Sequence, residues 1–360
     1  MHKRSLSCLN IFTVLFLMMG ASQALHAQKL PLPPRAHDAL SGSAFKNQVE
    51  NLSVEDREAQ IYQQIMSGNV PAFMRDLAPI SFSKTMRDST YEVTYYVLPD
   101  YMAVGSDSDY FLMPMTPILA QKIANALHFT LPTKQMVDQI WSQASVKLSP
   151  SPIAASPQMT TIPVMWQHNS MVKAQRAESL EAHPLGALVA GDKKDVIISN
   201  KIYGNSSRRV VIYGWHYTNG NPIQPVYAGH AATYADYSHG IRLVRDSVLI
   251  NNKMHRITDV LQDASKAALF SDEGVIRKPY YPLGETEELK APEEFGVTSK
   301  DSTTALIPIK EDSSANSYRV SVSSDGLTFL EAESGGPAPL VLTDLSSNDI
   351  TFIKLQAISG

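Results

Sequence analysis

A proline-rich and then acidic stretch, Lys278 to Lys290 (KPYYPLGETEELK), divides this 360-residue chain into two parts with different periodicities. After it, Tyr318, Val320 and Val322 alternate with polar residues, Ser324-Asp-Gly326 breaks the run, and Ile353, Leu355 and Ala357 alternate again. Period-two segments separated by polar turns predict a small all-β sandwich over residues 286–360. Before the divide, helical and period-two segments are interleaved, which predicts an α+β domain over residues 28–285 with a mixed or antiparallel sheet and flanking helices.

Met1 to Ala27 reads as a secretory signal peptide. His2, Lys3 and Arg4 give a basic start, Leu9 to Met19 an apolar core, and Ala24-Leu25-His26-Ala27 a small-residue exit. That core is too short for a spanning helix, so the expectation is a secreted, periplasmic or cell-surface protein with no transmembrane anchor. The single cysteine, Cys8, lies inside this segment, and the rest of the chain has no thiol for a disulfide, a nucleophile or a metal. A formal net charge of −4 without a long basic run makes nucleic acid and anionic membranes poor partners.

Ser53-Val-Glu-Asp56 resembles a capping box and predicts a helix through Ile61, Ile65 and Met66 that stops at Gly68. Tyr91 to Leu98 reads as a strand broken by Pro99-Asp100. Asp100 to Pro117 reads as a loop. Its Asp107-Ser-Asp109 lacks the glycine and distant glutamate of a calcium loop and is expected to be a solvated turn. Thr116-Pro117 and Pro132-Thr133 open two amphipathic helices, and Met165 to Ser179 forms another. Val196 to Ser199 and Val210 to Trp215 are predicted strands, with Asn219-Gly220 as a hairpin turn. Ser247 to Ile250 and Met254 to Ile257 form a second hairpin around Asn251-Asn252, and Thr258 caps a short helix.

Chemistry-capable residues concentrate in Val210 to Asp246, which carries His216, His230, His239, Asp236 and Arg242 among five tyrosines. If Tyr234 to His239 is extended, Tyr234, Asp236 and Ser238 share one face while Ala235, Tyr237 and His239 share the other. Ser238 and His239 then point apart, and no G-x-S-x-G elbow is present to support a serine nucleophile. Two enzymatic chemistries stay open. A divalent metal could be held by His183, Asp195 and His216. Alternatively, a metal-free cleft could use His216, His239, Asp236 and His230 for proton transfer, while Arg242, Lys193 and Lys194 hold an anionic group. Trp215, Tyr234 and Tyr237 would then contact substrate, since aromatic faces with polar rims suit sugar rings. Asp192-Lys-Lys-Asp195 reads equally as a solvated turn.

Three resemblances enter on these residues. Ala291-Pro292, the hairpin Tyr318 to Gly326, Leu342-Thr-Asp-Leu345 and Phe352 to Ala357 resemble a fibronectin type III module. That implies an immunoglobulin-like sandwich that spaces domains or binds partners. Thr351 stands where that family has a tyrosine. Residues 28–285 are similar to an uncharacterised family of secreted bacterial proteins in Leu98 to Gly105, Leu131 to Val137, Asp192 to Asp195, Tyr213-Gly-Trp-His216 and Tyr234 to Gly240, which implies one coherent domain and no mechanism. The order His183, Asp195, Trp215-His216 resembles zinc D,D-peptidases, although His183 and Asp195 lie further apart than in that family and H-E-x-x-H is absent. The expectation is an exported hydrolase of cell-wall or extracellular glycan or glycopeptide, peptidoglycan included. The competing expectation is a non-enzymatic surface protein that binds carbohydrate or a cell-surface protein.

Overall fold

The computed structural model describes residues 28–203 and 207–283, together with the backbone of six strands between Thr298 and Ile358. The signal-like segment, most of the dividing stretch after Leu283, Ala291-Pro292, the Ser324 to Gly326 turn and Thr351 lie outside the described residues. The described part of residues 28–285 is mixed α/β, with a curled antiparallel sheet and helices.

Two helices open it, α1 (Gly42–Val49) and α2 (Val54–Met66). Ser53 Oγ accepts from the Asp56 amide at 3.0 Å, as the capping box requires. Strands β1 (Ala78–Met86) and β2 (Ser89–Val97) then pair antiparallel from Ala78 opposite Val97 to Met86 opposite Ser89. Arg87 and Asp88, both at positive φ, make the tight turn between them. The sequence reading found only β2, because the alternation in APISFSKTM is carried by serines and a lysine.

The expected loop after β2 is instead a buried hairpin of β3 (Ala103–Gly105) and β4 (Tyr110–Leu112). Only its tip fits the solvated-turn expectation, and even there Asp109 is tied down by Ser43 Oγ at 2.5 Å. Helix α3 (Pro117–Leu127) starts at an N-cap Thr116 with proline in its first turn, and a short β5 (Phe129–Thr130) follows. Helix α4 (Lys134–Gln143) starts at Thr133, whose side chain accepts from the Met136 amide. Then come β6 (Val146–Lys147) and helix α5 (Ile162–Ala177), β7 (Val189–Ala190) and β8 (Lys194–Val196), and the hairpin of β9 (Ile212–His216) and β10 (Pro222–Tyr227). The chain continues through β11 (His239–Gly240), β12 (Val244–Arg245), β13 (Ser247–Ile250) and β14 (Lys253–Arg256) to α6 (Ile257–Gln262).

The larger sheet runs β14-β13-β2-β12-β5, with β1 also on β2. Strands β12 and β13 lie along successive parts of β2, Val244 opposite Val97 and Leu249 opposite Thr94, so the sheet curls. The smaller sheet runs β10-β9-β8-β11, and its centre, β8, is antiparallel to β9 and parallel to β11. This register sets His239 beside Lys194 and Asp195 beside Tyr213. The start of α6 differs from expectation. Thr258 is not its N-cap; the carboxylate of Asp246 accepts from the Thr258 amide and hydroxyl, a cap supplied from twelve residues away. No helix among the described residues is long and apolar enough to cross a membrane.

In the C-terminal part, β15 (Thr298–Ser299), β16 (Ala305–Ile307) and β19 (Leu340–Leu342) form one antiparallel sheet in the order β15-β16-β19. Strands β17 (Ser317–Ser323), β18 (Leu330–Ser334) and β20 (Phe352–Ile358) form another, with β17 central.

Candidate functional site

The site is created by a break in strand alternation. In a regular strand, residues three apart point to opposite faces. In β9, Tyr213 Oη donates to Asp138 Oδ1 at 2.7 Å, and His216 Nε2 lies 3.3 Å from the same atom. Gly214 at φ 105 and Trp215 at φ 55 absorb the rotation that this requires. A left-handed backbone costs a non-glycine residue roughly 1–2 kcal/mol. Here it turns the indole to the side away from Asp138, against His168 of α5 (6.0 Å between centroids) and Tyr237 (6.2 Å), with Lys194 Nζ 5.1 Å from the ring centroid.

On that side the segment Tyr234 to His239 is not extended. Ser238 donates its amide (2.8 Å) and hydroxyl (2.6 Å) to Asp236 Oδ1, and the His239 amide reaches the Asp236 carbonyl. This turn is the local preference of aspartate two residues ahead of an amide, and it overrides the strand reading and its division of faces. Tyr234 Oη donates to Asp236 Oδ2 at 3.1 Å, and His230 stacks on Tyr234 at 4.1 Å. His239, 1% exposed, has no hydrogen-bond partner among the described residues on either ring nitrogen. Burial lowers its pKa to about 4 against the opposing pull of Asp236. For Asp236, burial works upward, but His239, Ser238 and Lys194 outweigh it and hold the carboxyl below the usual range.

Lys193 Nζ, fully buried, donates to the Tyr237 carbonyl at 2.7 Å and lies 3.2 Å from His168 Nδ1. Burial lowers its pKa to about 8, and burial plus the Lys193 charge lowers His168 to about 2. Asp192, Lys193 and Asp195 are therefore not a solvated turn; all three are within 3% of full burial.

A second group of charges occupies the core near β8. Arg242 donates to the carbonyls of Leu98 (2.9 Å) and Val189 (2.8 Å), lies over the Tyr101 ring at 4.3 Å and approaches Asp195 Oδ1 at 3.9 Å. Tyr101 Oη donates to Asp195 Oδ2 at 2.8 Å. Neither carboxylate oxygen of Asp192 has a hydrogen-bond partner among the described residues, and burial raises its pKa, with Lys193 and Arg242 opposing. Burial and Asp192 raise Asp100, while burial raises Asp195 to about 6. Arg242 is thus committed to backbone carbonyls and buried carboxylates, which corrects its expected role as an anion contact.

The residues nominated from sequence divide into separate places. His239, Asp236, His230, Tyr234, Tyr237, Trp215 and Lys194 pack together around the Tyr234 to His239 turn. His216 belongs to the Asp138 group, where Lys134 also bonds Asp138 at 3.1 Å. His183 lines a surface groove with Ser145, Lys147 and Gln175, to which neither Asp195 nor His216 contributes. The metal set His183, Asp195 and His216 does not converge, and no three or more His, Asp or Glu side chains among the described residues are arranged to hold a metal ion. Sequence reasoning missed His168, Lys193's buried contacts, Tyr101 and Asp138. His168 had a signal, being three residues after Met165 and four before Val172 on the buried face of α5.

Compared with family models, curated proteins and solved structures, the chain gave no match.

Proposed function

We infer that the protein is an exported hydrolase of cell-wall or extracellular glycan or glycopeptide, with His239 as its acid–base group. One observation carries this reading: a fully buried, neutral imidazole with both nitrogens unpartnered stands beside an ionised carboxylate. A buried polar group without a partner costs about 1–3 kcal/mol, and a site that accepts and returns a proton is one reason to retain it. In this role His239 takes a proton from an attacking water and returns it to the leaving group, and Asp236 stabilises the transient imidazolium through space. Ser238 and Tyr234 hold Asp236 ionised and oriented. His230 and Tyr234, both half-buried, form the outer edge where substrate meets the site. His216 and Arg242 take no part in the chemistry.

The test is release of soluble fragments from purified cell-wall glycan. The unmodified protein should turn over, His239→Asn should lose turnover, and Asp236→Asn should keep only a reduced but measurable rate, both variants remaining folded. Unchanged rates in either variant would remove that residue from the reaction. A non-enzymatic carbohydrate binder is favoured by exposed aromatics on the β9–β10 hairpin, Tyr217 and Tyr227. Binding without turnover in the unmodified protein, weakened by Tyr227→Ala, would select that reading.

A further inference from the structure

Strand β6 has one edge that no described strand covers. It pairs with β7 in parallel, the amides of Val146 and Leu148 donating to the carbonyls of Leu188 (3.0 Å) and Ala190 (2.9 Å). Successive residues of a strand turn their backbone groups to opposite edges, so the Lys147 N–H and C=O point away from β7, and neither is bonded to a described residue. Two residues on, the same edge is occupied. Gln175 of α5 accepts from the Ser149 amide at 3.0 Å and donates to the Ser149 carbonyl at 3.1 Å, the two bonds that a residue of an antiparallel strand would exchange there. The carboxamide stands in for one residue of an added strand and reaches no further. Beside Lys147 the edge opens into a groove of about 330 Å³, lined by Ser145 and Lys147 of the strand segment and by Gln175, Glu178 and His183. A lysine commonly guards an open edge, but Lys147 Nζ is drawn over the Trp141 ring, 4.2 Å from its centroid. Glu178, exposed in the groove, has no ion pair among the described residues, and the chain carries a net charge of −4.

We propose that this groove binds an extended basic peptide as an antiparallel strand added to β6, one of its residues exchanging both backbone bonds with Lys147 and a flanking lysine or arginine meeting Glu178. In strand addition the backbone bonds supply affinity and the side chains beside them supply preference. The Lys147 amide and carbonyl provide the first, and the Glu178 carboxylate the second. None of the residues lining the groove belongs to the Tyr234 to His239 turn, so this inference does not depend on the chemistry of His239.

The test titrates the full chain into the fluorescein-labelled peptide Lys-Thr-Thr-Thr-Lys, amidated at its end, and follows anisotropy. Saturable binding is expected, and the peptide with glutamate in place of both lysines should bind more weakly. Glu178→Gln should weaken the lysine peptide about two- to fivefold, the worth of an exposed ion pair. Lys147→Pro deletes the outward N–H without touching a bond to β7, as an edge strand tolerates, and should weaken binding about tenfold. Lys147→Ala keeps the backbone donor and should bind at least as tightly as the unmodified protein. Circular dichroism checks that the proline variant is folded. N-methylation of the central threonine removes the peptide's own donor to the Lys147 carbonyl and should weaken binding to the unmodified protein similarly, whatever the variant does. No saturable binding, affinity indifferent to both Lys147→Pro and N-methylation, or equal affinity for the lysine and glutamate peptides overturns the proposal.

Discussion

Replacing His239 should flatten the acid dependence of stability. In the unfolded chain an imidazole binds its proton near pH 6.5, whereas folded His239 does so only near pH 4. Between these values the unfolded state holds more protons, so this residue's contribution is fully present above pH 6.5 and is lost as pH falls toward 4. A displacement from 6.5 to about 4 corresponds to about 3 kcal/mol. His168, displaced the same way, and Asp195, displaced upward and therefore stabilising on acidification, act in overlapping windows. The comparison must therefore be between proteins. His239→Leu removes the titrating group at similar volume and leaves Asp236 bonded to Ser238 and Tyr234. Urea unfolding at pH 7 and pH 4, read by circular dichroism, should show the unmodified protein losing about 3 kcal/mol more than the variant. Equal losses would refute the claim that His239 is buried and neutral beside Asp236, Lys194 and His230.

Arg242→Met should destabilise by about 3–5 kcal/mol, because it strands Asp195 and frees two buried carbonyls. Adding Asp195→Asn should recover part of that loss in chemical denaturation, and a mild effect of the single variant would return Arg242 to a functional role. Lys193→Met should raise the titration midpoint of His168, followed by imidazole NMR, since the Lys193 charge is the second cause of its depression after burial. An unmoved midpoint would contradict the Lys193–His168 pairing. Gly240→Ala puts a Cβ 2.5 Å from the Tyr101 ring and 2.7 Å from Lys193 Cβ, so a loss of about 1–3 kcal/mol is expected from the shift in urea midpoint. No shift would mean that the two side chains are free to move apart.

Helix starts were legible because they are written locally: Ser53, Thr116 and Thr133 each cap the helix that follows them. The hairpin at Asn251-Asn252 was legible for the same reason, both residues accepting positive φ. Asp246 capping α6 was not, because its partner, Thr258, lies across a β-hairpin. The grouping of His239, His230, Asp236 and Tyr234 could be read because all lie within one short stretch. His216 belongs to the same stretch, yet Gly214 and Trp215 reverse its face, and no alternation rule anticipates two positive φ values inside a strand. Lys193 and Asp192 read as solvated because buried charges are rare; their burial follows from His168 of α5 and from Tyr237 and Arg242, which flank β11.

The pH profile of turnover on cell-wall glycan tests the central claim most directly. If neutral His239 is the proton acceptor, kcat/KM should rise with pH along an acid limb near pH 4, and Asp236→Asn should move that limb lower, because the Asp236 charge favours the imidazolium. An acid limb near pH 6.5, as for an ordinary exposed imidazole, or one indifferent to Asp236→Asn, would contradict the account.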